Sequence, residues 1–216
     1  MRSDPLILGF DTSAAQCAAA LLAGERLLDC RIEPMAKGQA ERLMPMLEEM
    51  LARAGAGWRD LAALGVGVGP GNFTGVRISV AAARGLALAL DIPAVGVSLF
   101  DAVAHGLPRP LRVVEDARRG EVYAQDFGPD AAPMLTTLAA LAAAPRAGVA
   151  LAGSGAEALA ALLPGARVLA PAMPLPEAIA RLAAERWPLP MPRPAPLYLR
   201  SADAALPTEP APVIVP

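Results

Sequence analysis

Two segments carry residue types at spacings suited to chemistry. Asp11-Thr12-Ser13 puts a carboxylate and two hydroxyls at the end of an apolar, strand-like run, Leu6 to Phe10. Such a trio can hold a hydrated Mg²⁺ and a phosphate, or close an Asx or ST turn on itself. The second segment is Gly69-Pro70-Gly71-Asn72-Phe73-Thr74-Gly75-Val76-Arg77, set between the strand-like Leu64–Val68 and the helix-like Ile78–Leu90. Glycines at a strand-to-helix turn allow a sharp bend or a close approach, and exposed N–H groups at a helix start attract anions. Thr74 is the expected N-cap. The segment is no P-loop, because Val76 and not Lys follows Gly75, and Thr74 stands where a dinucleotide fingerprint would have its third Gly. A third group lies further on. Asp116 and Arg118, in the turn Asp116–Gly120, form either a pocket acid and base or a solvated turn. Glu121 and Tyr123 alternate along the next strand and share a face.

Other chemistries lack their residues. His105 is the only histidine and the two cysteines are Cys17 and Cys30, so neither a Ser/His/Asp triad nor zinc-ligand spacing can be assembled. A two-metal nuclease would use Asp11 and further strand-borne carboxylates, and Asp29 alone qualifies. The net charge of −2, with no long basic run, argues against nucleic-acid binding by this chain alone. Hydrophobic residues make up 55% of the chain, yet Arg84, Asp91, Pro145 and Arg146 interrupt every apolar run before it reaches the ~18 residues of a membrane span. The start, Met1-Arg2-Ser3-Asp4-Pro5, enters a strand without a signal-peptide pattern, so the expectation is a soluble cytoplasmic protein.

The elements that must position these residues follow from periodicity. Strands are expected at Leu6–Phe10, Cys17–Leu22 and Arg26–Ile32, the last two joined as a hairpin across Ala23-Gly24-Glu25. A helix over 39–54 repeats Leu43, Met44, Leu47, Met50 and Leu51 at 3–4 spacing, with Met46 off that stripe. Strand Leu64–Val68, helix Thr74–Leu90, strand Ala94–Val97 and a short helix capped by Ser98 complete a first unit. Three hairpin strands followed by α/β crossovers is the order of an RNase H-like lobe. The second part begins alike, with strands Leu111–Glu115 and Glu121–Phe127. It continues with helix Leu135–Ala144, strand Val149–Leu151, the turn Gly153-Ser154-Gly155, and helices Glu157–Leu163 and Pro176–Arg186. Nine of the 23 prolines fall from Pro188 on and predict an extended tail around Leu197-Tyr198-Leu199. The expected division is a first lobe over 1–104, a reduced second lobe over 105–187 and a tail over 188–216.

These landmarks together resemble one family. Asp11-Thr12-Ser13, Ala40-Glu41-Arg42-Leu43-Met44-Pro45, the Gly69–Arg77 segment, Gly96-Val97-Ser98, Asp116-Ala117-Arg118, Glu121-Val122-Tyr123 and Tyr198-Leu199-Arg200 are similar to the TsaB (YeaZ) family of bacterial threonylcarbamoyladenosine biosynthesis. The likeness spans most of the chain and is thin from 130 to 196. It implies an α/β, actin-like ATPase (ASKHA) fold of two RNase H-like lobes. It also implies a subunit with neither catalytic residues nor a metal site of its own. The catalytic paralogue TsaD transfers a threonylcarbamoyl group to the adenosine beside the anticodon of tRNAs that read codons beginning with A. That paralogue binds metal through a His-x-x-x-His helix, where this chain has Gln39 and Leu43. Many relatives carry His at the position of Gln39. The implied partners are TsaD and the ATPase TsaE, or a second copy of the chain, through first-lobe helices. Leu43, Met44, Leu47, Met50, Leu51, Val76 and Val80 are the expected contacts. No cofactor is implied for the chain itself; ATP and Mg²⁺ belong to the complex, and tRNA is met only through it. The rival readings are a small actin-fold kinase, a metallopeptidase-like enzyme and a homodimeric regulatory protein.

Overall fold

The computed structural model describes residues 4–128 and 131–200. Two sheets lie at its centre. The first holds strands β1 (Leu6–Asp11), β2 (Gln16–Ala23), β3 (Arg26–Pro34), β4 (Leu61–Gly67) and β5 (Ala94–Val97), in the order β3-β2-β1-β4-β5. β1 runs antiparallel to β2 and parallel to β4, and β4 runs parallel to β5. The second holds β6 (Leu111–Asp116), β7 (Glu121–Phe127), β8 (Met134–Thr137) and β9 (Ala150–Ala152), in the order β8-β7-β6-β9. Hairpins precede crossovers in both, as the expected RNase H-like order requires.

Side chains alternate along β1, so one strand feeds two cores. Leu8 and Phe10 face α1 (Gln39–Arg53) and α2 (Phe73–Leu90), with Leu43, Met46, Leu47, Met50, Val76 and Val80 in the same cluster. Ile7 faces α6 (Leu175–Arg186), beside Ala178, Ile179, Leu182 and Ala183. α6 lies so close that a Cβ added at Gly9 would stand 2.6 Å from the Ala180 nitrogen. Helix α3 (Leu99–Ala104) packs Phe100, Val103 and Ala104 on Leu111, Val113, Ala150 and Ala152 of the second sheet. Helices α4 (Leu138–Ala143) and α5 (Ala156–Ala160) cover that sheet's outer face through Leu141, Ala156 and Leu159. The layers are therefore α1 and α2, first sheet, α6 and α3, second sheet, α4 and α5.

Four expectations change. α6 sits on the first sheet, so the 105–187 stretch is not one lobe: its last helix completes the first core. Asn72 rather than Thr74 caps α2, because the Asn72 Oδ1 accepts the Gly75 N–H at 2.9 Å. The stretch expected as helix from Leu135 starts instead in strand β8, paired with Glu121–Ala124, and turns helical only after Thr137, whose hydroxyl accepts the Ala140 N–H. Met46, expected off the stripe, is fully buried. Ser98 caps α3 as expected, accepting the Asp101 N–H at 2.9 Å.

α2 is long and apolar enough to cross a membrane by length and composition. Its Gly75, Val76, Ser79, Val80 and Ala83 stripe is buried, and Val76, Val80 and Ala83 join the core on β1 and β4, as in a core helix of a globular fold.

The tail returns across the molecule as far as its description goes. The Leu197 N–H donates to the Val68 carbonyl at 2.8 Å, at the end of the first sheet. Leu199 packs with the α3 cluster, and Arg200 reaches Glu121 of β7 at 2.6 Å. The part of the expected tail over 201–216 lies outside the described residues.

Candidate functional site

Asp11, Thr12 and Ser13 are buried at the carboxyl end of β1, where parallel strands of an α/β sheet open a crevice. Asp11 Oδ1 accepts from the Ser13 N–H and from the Ser13 hydroxyl, each at 2.9 Å, which closes an Asx turn. Burial pushes the Asp11 carboxyl up, and the two Ser13 donors pull it partly back.

The glycine segment is zipped onto this turn. The Thr12 hydroxyl donates to the Gly75 carbonyl at 2.7 Å, and the Asn72 N–H donates to the Ser13 carbonyl at 2.7 Å. A Cβ at Gly71 would stand 2.7 Å from the Ser13 carbonyl oxygen, and one at Gly75 would run into the Thr12 carbonyl. Glycine is thus required for backbone-to-backbone approach, the second of the two uses that glycines serve here. The space that a phosphate would need between the loops is filled by the chain's own main chain. Asp11 turns its second oxygen against Gly67. Among the described residues no group of three or more His, Cys, Asp or Glu comes together to hold a metal. These residues do not fit a Mg²⁺-phosphate bound between the two loops.

A matching pair of turns lies on the second sheet. Ser154 accepts the Asp116 N–H at 3.0 Å and sets its hydroxyl 2.5 Å from Glu115 Oε2. Burial raises the Glu115 carboxyl, opposed by those Ser154 contacts. Asp116 and Arg118 are joined by a backbone bond: the Arg118 N–H donates to Asp116 Oδ1 at 3.0 Å. Arg118, Arg119 and Gly120 all take positive φ, at 63°, 54° and 77°. Glu121 of the same turn region is engaged by Arg200 at 2.6 Å. Sequence reasoning missed Glu115 and the part played by Arg200. The polar residue next to Asp116, on a strand facing Gly153-Ser154-Gly155, was the available signal for Glu115.

At the start of α2, Arg77 donates to the Tyr198 hydroxyl at 2.9 Å and lies 3.7 Å over the Phe73 ring. Both rings stay partly open to solvent. Residues expected to meet a partner fall into two groups. Leu43, Leu47, Met50, Leu51, Val76 and Val80 belong to this chain's own core, since a side chain with almost no exposed surface has none to offer. Met44 is half-buried. What α2 does expose is a stripe at i+4 spacing, Phe73, Arg77, Ala81 and Gly85, continued by Leu88, which is 83% exposed. Gln39 donates to the Met35 carbonyl at 3.1 Å and so pins the entry to α1.

Two RNase H-like sheets facing each other across α3 and α6 define the actin-like ATPase fold. A profile of the TsaD family, tRNA N6-adenosine threonylcarbamoyltransferase, matches residues 33–155. TsaB of Escherichia coli, a tRNA threonylcarbamoyladenosine biosynthesis protein, is 37% identical over 129 residues, covering 57% of this chain and 55% of TsaB. An uncharacterised protein of Mycobacterium tuberculosis is 36% identical over 203 residues, covering 92% of this chain and 93% of its own. YeaZ of Pseudomonas aeruginosa, a solved structure, superposes with a TM-score of 0.68 at 28% identity, covering 90% of this chain and all of that one. The chain belongs to the TsaD-related family, in its TsaB (YeaZ) branch. It spans about half the length of the curated TsaB proteins it matches.

Proposed function

We propose that this chain is a non-catalytic partner subunit in forming the threonylcarbamoyl group on the adenosine next to the anticodon of tRNAs that read A-starting codons. It acts with TsaD and TsaE and meets tRNA through them. The observation that carries this reading is α2: one side packs on the core, while Phe73, Arg77, Ala81, Gly85 and Leu88 on the other stay exposed. Apolar surface of that kind is stabilised by a covering partner. The closed Asp11–Ser13 and Gly69–Gly75 loops support the non-catalytic part, because they leave a phosphate no cradle between them. Gln39 and Leu43 support it too: one pins a helix start and the other is core.

Co-purification with TsaD from the same organism, with threonylcarbamoyl transfer to tRNA measured in the presence and absence of this chain, is the test. Co-elution and dependence are expected. A TsaD that transfers equally well alone would overturn the reading. The same open face also suits a second copy of the chain, and light scattering with and without TsaD separates the two assemblies.

A further inference from the structure

The outer face of the second sheet is only partly roofed. α4 and α5 cover Val114, Val122, Ala124 and Leu151. Toward Arg112 that cover stops, and a cavity of about 580 Å³ opens between the segment 145–151 and the turn 163–167. This is within the ~300–1,000 Å³ of small-molecule sites. Its walls include Val149, Leu163 and Pro164. Its floor is charged. Arg112 and Asp126 are cross-strand partners of β6 and β7, both buried, joined by two bonds of 2.6 and 3.0 Å. Arg146 reaches the same carboxylate at 3.3 Å while its side chain stays 60% exposed. Arg167 lines the mouth, is exposed, and has no side-chain partner among the described residues.

Two guanidinium groups therefore share one carboxylate, and the third, Arg167, stands at the mouth unpaired among the described residues. The excess of two positive charges sits in a concave, partly apolar wall, where fields are focused. Arginine forks match phosphate oxygens, and a phosphomonoester carries close to two negative charges at neutral pH. We propose that this cavity binds a small organic phosphomonoester, with the phosphate between Arg146 and Arg167 and the body against Val149, Leu163 and Pro164. The Arg112–Asp126 pair fixes the floor and orients Arg146. The site lies away from the paired loops at the strand ends and is independent of the partner-subunit role.

Phenyl phosphate is a suitable probe, followed by amide shifts of the full chain in solution. Saturable shifts at Gly148, Val149, Gly165 and Arg167 are expected, weaker with inorganic phosphate and absent with phenol. The double variant Arg146→Gln/Arg167→Gln leaves the buried pair in place and should bind about tenfold more weakly, the loss of one charge-assisted contact or more. Absence of saturable shifts at millimolar probe would overturn the proposal, as would unchanged binding in the folded double variant. An RNA oligonucleotide that occupies the cavity more tightly than phenyl phosphate would also overturn it, in favour of a nucleic-acid contact.

Discussion

Asp11 is a buried carboxylate whose hydrogen bonds all come from Ser13. Its raised pKa means that the folded state keeps a proton which the unfolded chain has already released. Stability therefore falls as pH rises from the ordinary Asp value, about 3.9, through the folded value, and the full cost is felt above it. Asn keeps the Oδ1 acceptor and cannot ionise. Asp11→Asn is expected to melt with wild type near pH 4 and above wild type at neutral pH, the gap widening with pH across the window. A neutral-pH loss in that variant would mean that the carboxylate is balanced by something bound. The neighbouring glycine makes a second case. A methyl at Gly75 must push the Thr12 carbonyl away, so Gly75→Ala is expected to lower stability by about 3 kcal/mol, read from a denaturant midpoint. If the glycines served a phosphate instead, the apo protein would tolerate the methyl.

At the scale of elements, α1 and α2 separate core from surface. Met50 is fully buried under α1, and Asp there would leave an unpaired charge in the first core. Met50→Asp should cost about 4 kcal/mol or more and appear as unfolding rather than as lost assembly. Leu88→Asp, on the open side of α2, should leave the melt within about 0.5 kcal/mol and abolish co-elution with TsaD or with a second copy. Normal assembly by a folded Leu88→Asp chain would remove α2 from the interface.

The same contrast explains what was legible in the sequence. A 3–4 repeat announces a helix with a buried side, so α1 and α2 were readable. It does not say whether the buried side meets the chain's own sheet or another molecule, and Leu43 to Leu51 were read outward for that reason. β8 was hidden because four residues, Met134–Thr137, are too few for a period and their pairing with Glu121–Ala124 is remote. Asp11–Ser13 and the glycine segment stood out by residue type. Their mutual contact, between positions 63 residues apart, left no local trace. Arg200 and Tyr198 were noticed as a motif, but a proline-rich tail carries no signal for where it lands.

For the whole molecule, the landing place is what matters. Leu197, Tyr198 and Arg200 tie the Val68–Arg77 end of the first sheet to the Ala117–Glu121 turn of the second. Tyr198→Ala/Arg200→Ala should leave the four core clusters intact and raise amide exchange in both of those segments by about tenfold or more. Unchanged exchange would show that α3 and α6 alone hold the sheets. α6 itself joins opposite ends of the chain, with Ile179 and Leu182 closing the face of the first sheet that Ile7, Leu22, Ala63 and Val95 present. Synthesis delivers those parts far apart in time. A nascent chain that has emerged to Ala104 owns all five strands of its first sheet, yet one side stays bare until residues 175–186 leave the ribosome. The first half to be made is thus among the last to be finished, and a message truncated before Leu175 yields a sheet with its apolar face open to any other chain nearby.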